Sequence, residues 1–113
     1  MTELTKENFD AEVTEAEGVV FVDFWSPKCE ECLTLNPEVE VLAERYAGRV
    51  KFCKLDAAGN RRLSIAQKVM GLPAFVIYVN GEKVFMLDPG SISIEAAQAK
   101  LDELIGSCGS PWD

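Results

Sequence analysis

Cys29-Glu30-Glu31-Cys32 places two thiols three residues apart, one helical turn from each other if the segment is helical. Such a pair can exchange with an outside disulfide, hold half of a zinc site, or lie inert in a core. The chain contains no histidine. That removes Ser-His-Asp and Cys-His catalysis, His-ligated metals and His-based pH switching at one stroke. The haem-attachment signature also fails, because Leu33 follows Cys32 where a histidine is required. A structural zinc usually takes four ligands as two close pairs, whereas Cys53 falls inside an apolar stretch and Cys108 near the C-terminus. No metal site is therefore expected, and reversible dithiol–disulfide exchange outweighs zinc binding and inert thiols. It needs no bound cofactor, since the two sulfurs carry both electrons.

The elements around the pair support that chemistry. Val19-Val20-Phe21-Val22-Asp23-Phe24-Trp25 is β-branched and aromatic on both faces, the pattern of a central strand covered by helices. Ser26-Pro27 breaks it, and a long helix runs from Cys29 to about Tyr46, with Leu35, Val39, Leu42 and Tyr46 on one face. Pro37 inside this helix should kink it. Cys29 thus sits at a helix N-terminus, where the backbone N–H groups favour a thiolate, and Cys32 lies one turn further in.

Before this unit, Lys6–Ala16 reads as a short helix with Thr5 as its N-cap, Phe9 and Val13 as an apolar pair, and Gly18 as its stop. After it come a strand from Val50 to Leu55 and a helix from Asn60 to about Val69, with Leu63, Ile65, Ala66 and Val69 on its apolar side. Ala74–Val79 and Glu82–Leu87 are strands joined by Asn80-Gly81, a strong hairpin signal. Ser93 opens a last helix through Ala97, Leu101, Leu104 and Ile105, ended by Gly106. The expected fold is a three-layer α/β/α domain over residues 1–106 with a mixed central sheet and an antiparallel C-terminal hairpin. Residues 107–113 read as a flexible tail.

At 113 residues and 12.4 kDa, with 48% hydrophobic and 27% charged residues, the chain has the size and composition of one globular domain. Its formal charge of −8 counts against nucleic acid or an anionic membrane as partner. The N-terminus has no basic region followed by an apolar stretch, and Val19–Val22 and Phe75–Val79 are too short to cross a bilayer. The expectation is a cytoplasmic monomer.

Val22-Asp23-Phe24-Trp25, the cysteine pair, Pro37, Lys54-Leu55-Asp56, Gly71-Leu72-Pro73 and Asn80-Gly81-Glu82 stand in an order that resembles the thioredoxin family across nearly the whole chain. The stretch from Arg61 through Pro73 looks most like thioredoxins associated with glycine reductase in amino-acid-fermenting anaerobes. The resemblance implies a thioredoxin fold and a protein-disulfide reductase, with Cys29 attacking, Cys32 resolving and the two forming a disulfide on oxidation. It implies that Asp23 is a buried carboxylate taking the Cys32 proton through a water, the alternative being an exposed strand-end Asp. Its apolar neighbours favour burial and a raised pKa. Lys54 would approach Asp23 from the next strand, or else lie on the surface. Pro73 resembles the cis-proline that offers backbone hydrogen bonds to a bound peptide. A disulfide-bearing protein would dock over Trp25, Lys28, Gly71, Leu72, Pro73, Ala74 and Gly90, and a separate flavin-dependent thioredoxin reductase would restore the dithiol. The competing reading is a thioredoxin-fold binding module that uses the groove around Pro73 without turnover; a disulfide isomerase is a third. Retention of both cysteines and Asp23 argues against the binding module.

This chain departs from the Trp-Cys-Gly-Pro-Cys pattern common in that family. Lys28 replaces the aromatic residue, Glu30-Glu31 replaces Gly-Pro, Ala74 stands where a Thr is frequent, and the glycine expected in the last strand is displaced to Gly90. A carboxylate about 6 Å from a thiolate costs about 0.7 kcal/mol at the dielectric of water and about 3 kcal/mol at an effective value near 20. The helix dipole and Lys28 oppose this. Cys29 is therefore not expected to be strongly acidified, and a less stable thiolate makes the dithiol a reductant. Cys53 reads as a core thiol, Cys108 as an exposed thiol without assigned function, and Arg61-Arg62 as a solvated helix face rather than a docking spot.

Overall fold

The β-branched run Val19–Trp25 becomes the centre of a five-stranded sheet. In chain order the strands are β1 (Thr2–Leu4), β2 (Val19–Trp25), β3 (Val50–Asp56), β4 (Ala74–Val79) and β5 (Glu82–Leu87); the helices are α1 (Glu30–Arg45), α2 (Arg61–Ala66) and α3 (Ile94–Cys108). The structure, a computed structural model, describes residues 1–108, with side chains through residue 106. Across the sheet the order is β1-β3-β2-β4-β5. Both β1 and β3 pair in parallel as β1–β3 and β2–β3, whereas β4 runs antiparallel to β2 and to β5.

Period-two alternation along β2 feeds two cores. Val20, Val22 and Phe24 pack with Phe9, Val13, Leu55 and Val69 on one face. On the other, Val19 and Phe21 pack with Val39 and Leu42 of α1 and with Ala97 and Leu101 of α3. The architecture is thus the expected three-layer α/β/α with a mixed sheet. No helix among the described residues is long and apolar enough to cross a membrane.

Several local expectations are corrected. The strand β1 was not read from the sequence; three residues are too few to show alternation. The helix expected over Lys6–Ala16 is instead a turn leading into a π-helical segment, Asp10–Thr14, in which Glu15 N–H reaches the Asp10 carbonyl at 2.8 Å. The expected N-cap is not found either: Phe9 precedes the π-helical segment without a side-chain cap, and Thr5 closes the turn before it, its Oγ1 accepting from Glu7 N–H and its own N–H donating to Asn8 Oδ1. Helix α1 runs unbroken from Glu30 to Arg45 through Pro37. Helix α2 stops at Ala66 rather than near Val69, because Lys68 adopts a left-handed φ of 68°. Lys68 N–H bonds to the Ile65 carbonyl and Val69 N–H to the Ser64 carbonyl, a Schellman end built on lysine instead of glycine. Ser64 is the buried residue of this helix, whereas Ile65 is 46% exposed and Ala66 is exposed too, so neither lies on the buried side. Helix α3 continues past Gly106 to Cys108, and Gly106 is not among the positive-φ glycines. The expectations for the Cys108 side chain and for segment 109–113 lie outside the described residues.

The hairpin follows its turn chemistry, with Asn80 at φ 51° and Gly81 at φ 84°. Asn80 also ties this turn to the entry of β2, accepting Gly18 N–H at 2.8 Å through its side chain. The β4–β5 ladder carries a register shift at Ile77/Tyr78, and Glu82, Lys83 and Val84 on the outer strand are exposed. At Gly81 an added Cβ would lie 2.1 Å from the Thr14 carbonyl oxygen, whereas at Gly18, with the same φ of 84°, nothing lies within 4 Å. Urea melts should therefore show Gly18→Ala costing on the order of 1 kcal/mol and Gly81→Ala distinctly more, about 2–4 kcal/mol. Equal losses would mean that the Thr14 contact carries no weight.

Candidate active site

Ser26 sets the entrance of α1. Its carbonyl accepts Cys29 N–H at 3.0 Å and its hydroxyl accepts Lys28 N–H at 3.2 Å, turning the chain out of β2 toward the helix. Cys29 is the N-cap, in extended conformation, and its Sγ accepts Cys32 N–H at 3.2 Å. Leu33 N–H then bonds to the Cys29 carbonyl, and the helix is under way. Cys29 and Cys32 are joined by a disulfide, with their Cα atoms 5.2 Å apart. Cys29 is half-buried and Cys32 is 1% exposed, so an outside sulfur meets Cys29 first. Lys28, Glu30 and Glu31 are exposed around the pair.

Asp23 lies on the α1/α3 side of the sheet, since it alternates with Val22 and Phe24 of the opposite core. It is 2% exposed. Burial pushes its carboxyl up to about 7, a rise that the Lys54 charge partly offsets. Lys54 is the direct cross-strand neighbour of Asp23 in the parallel β2–β3 register, and so shares its face. No ion pair joins the two among the described residues. The ammonium stands instead over the Trp25 ring, 5.4 Å from its centroid. Trp25 is half-buried, and its Nε1 is buried without a hydrogen-bond partner.

Cys53 is fully buried, and burial lifts its thiol to about 11, in keeping with a core residue. Among the described residues no three Cys, Asp or Glu side chains gather as a metal-binding group.

The Leu72–Pro73 peptide bond is cis. Pro73 and Ala74 are buried, whereas Gly71 and Leu72 are partly open. Gly71 and Leu72 join Ser26, Ile65 and Met70 in lining a groove of about 330 Å³ beside the active-site loop. Gly71 also faces a second hollow shared with Ala74 and Gly90. Gly90 sits in a turn after β5, not in the strand. A Cβ on Gly71 would stand 3.2 Å from Pro89, so the glycine lets the two loops approach. Sequence reasoning missed Ser26, Ile65 and Met70 here; Ile65 was assigned inward, and Met70, 76% exposed, carries no chemistry of its own to flag it.

A strand carrying a buried carboxylate and leading into a helix capped by one sulfur of a disulfide defines a protein built for thiol–disulfide exchange. The chain matches the sequence model of the Thioredoxin family over residues 1–103. It is 41% identical over 106 residues to a thioredoxin of Peptoclostridium acidaminophilum, covering 94% of this chain and 96% of that protein. It is 42% identical over 103 residues to a thioredoxin of Acetoanaerobium sticklandii, with 88% and 98% covered. Thioredoxin C-2 of Corynebacterium nephridii is 38% identical over 80 residues, 71% of this chain and 74% of its own length. The chain belongs to the thioredoxin family, and its activity is thiol–disulfide oxidoreduction through Cys29 and Cys32.

The buried carboxylate makes stability depend on pH. Unfolded, Asp23 loses its proton near 3.8; folded, near 7. Between these values the folded state holds the extra proton, so stability falls as pH rises across that window, by up to about 4 kcal/mol in total. Asp23→Asn should therefore stabilise the protein at pH 8 by on the order of 2–3 kcal/mol, after the cost of burying the amide, and the gain should vanish at pH 4. Denaturant midpoints at the two pH values check this.

Proposed function

We propose that the protein is a disulfide reductase for proteins, with Cys29 as the attacking and Cys32 as the resolving thiol. The observation that carries this reading is the asymmetry of the pair: one sulfur half-open at a helix N-terminus, the other closed off one turn below. In the reduced protein the Cys29 thiolate attacks one sulfur of the partner's disulfide, and the other leaves as a thiolate that takes up a proton. Cys32, losing its proton, then attacks Cys29 Sγ and expels the second thiolate of the partner. The Cys29–Cys32 dithiol is oxidised, and the partner gains two electrons as two thiols. Asp23, with a carboxyl near neutrality, suits the role of base for the Cys32 proton through a water, and Lys54 lowers its pKa by charge alone.

A flavin-dependent thioredoxin reductase returns the electrons in this reading, and the protein works as a cytoplasmic monomer. Partners dock where the loop around Trp25 and Lys28 meets Gly71, Leu72 and the backbone of Pro73, with Ala74 and Gly90 behind. Because Pro73 and Ala74 are buried, they offer main chain rather than side-chain contact.

Insulin reduction followed by turbidity tests the reading. Wild type with dithiothreitol should accelerate it, Cys29→Ser should abolish the acceleration, and Cys32→Ser should accumulate a mixed disulfide. Inactive wild type would instead leave a binding module.

Glu30 and Glu31 in the first turn of α1 oppose the thiolate that the helix N-terminus favours. Glu30→Gln with Glu31→Gln should lower the Cys29 pKa, read by thiolate absorbance near 240 nm, and raise the reduction potential against a glutathione buffer. The wild-type potential should lie with reductants, below about −200 mV; a value near about −120 mV, that of strong oxidants, would overturn the assignment.

A further inference from the structure

From Ala57 to Gly81 the chain carries three basic residues and no acidic one, although the whole sequence bears −8. Two of them, Arg61 and Arg62, open α2 and are exposed. Together with Lys6 they line a hollow of about 280 Å³. None of the three forms an ion pair among the described residues, in a protein where carboxylates are plentiful. Arg61 also lines the groove that holds Ile65, Met70 and Leu72 and that reaches the active-site loop at Ser26. Ile65 and Met70 are 46% and 76% exposed, among the most open large apolar side chains of the molecule. A basic rim and an apolar floor therefore run side by side, the floor reaching Ser26 of the active-site loop.

We infer that this α2 face is a docking surface for disulfide-bearing proteins that carry acidic residues next to an apolar one near their reactive disulfide. The apolar side chain enters the groove over Ile65, Met70 and Leu72, and the carboxylates meet Arg61, Arg62 and Lys6. Charge complementarity selects this occupant: most acidic residues of the chain lie elsewhere, so the basic island is where an acidic partner escapes the general repulsion. Glu30 and Glu31 in the first turn of α1 act as a counter-signal that discourages acid directly over the cysteines. The partner's orientation is thereby biased as well as its identity. The inference rests on the reductase reading and adds to it the class of substrate.

The test uses peptides closed by one disulfide, with Leu-Glu-Glu or Leu-Gln-Gln placed beside the reactive cysteine on either side. Arg61→Gln with Arg62→Gln should reduce kcat/KM on the acidic peptide about threefold to tenfold and leave the neutral peptide within about twofold. Arg45→Gln with Arg49→Gln removes the same total charge at the C-terminal end of α1 and just past it, and should leave the ratio of the two peptides as in wild type. The wild-type ratio should also collapse when about 0.5 M salt screens the contact. Equal effects on both peptides, or the same loss from the Arg45/Arg49 pair, would overturn the inference. So would sedimentation showing a wild-type dimer that the Arg61/Arg62 variant dissociates, since a second copy would then occupy the face. If wild type reduces the neutral peptide without any charge dependence, only this inference fails. If it reduces neither peptide nor insulin, the reductase reading fails with it.

Discussion

A helix whose first hydrogen-bonding group is a reactive sulfur ties the fold to the chemistry. Cys29 Sγ accepts the Cys32 N–H, so the atom that exchanges electrons is also the one that satisfies an end of α1. Everything upstream serves to aim that helix end. β2 is held centrally between β3 and β4, and Ser26 turns the chain out of it with two hydrogen bonds from the residues that follow. The first helical bonds close before Pro37, whose missing N–H therefore costs the active turn nothing.

The second constraint is the register of β2 against β3. Pairing Asp23 with Lys54 puts a carboxylate and an ammonium on the same face of a sheet without bringing them into contact. The lysine leans on Trp25 instead, and the carboxyl is left near neutrality rather than fully ionised. A tight ion pair would have held the acid ionised and made it a poor proton acceptor. The fold gives up stability above neutral pH at this residue and gains a group able to take and return a proton there.

The elements whose signals are local were legible in the sequence. The apolar β2, the Asn80-Gly81 hairpin and the helix-opening cysteines each carry their own chemistry, and the burial of Asp23 could be argued from its neighbours. What could not be read depends on distant partners or on exceptions to composition. β1 exists only because β3 offers it an edge. The end of α2 is hidden because lysine occupies the left-handed position that glycine usually marks, and Ile65 was turned inward because the buried face is marked by a polar residue, Ser64. The groove beside the active-site loop followed from neither motif nor periodicity, since it is assembled from Ser26, the α2 surface and the loop before β4. The position of Lys54 over an indole rather than against a carboxylate is likewise a matter of packing.

The two rims of the sheet offer little to a strand from outside. One rim is only three residues long, and the other bears Glu82 and Lys83 and is twisted by the register shift at Ile77/Tyr78. Short, charged and irregular borders are poor templates for strand addition. Association by cross-strand stacking is thus discouraged from both sides.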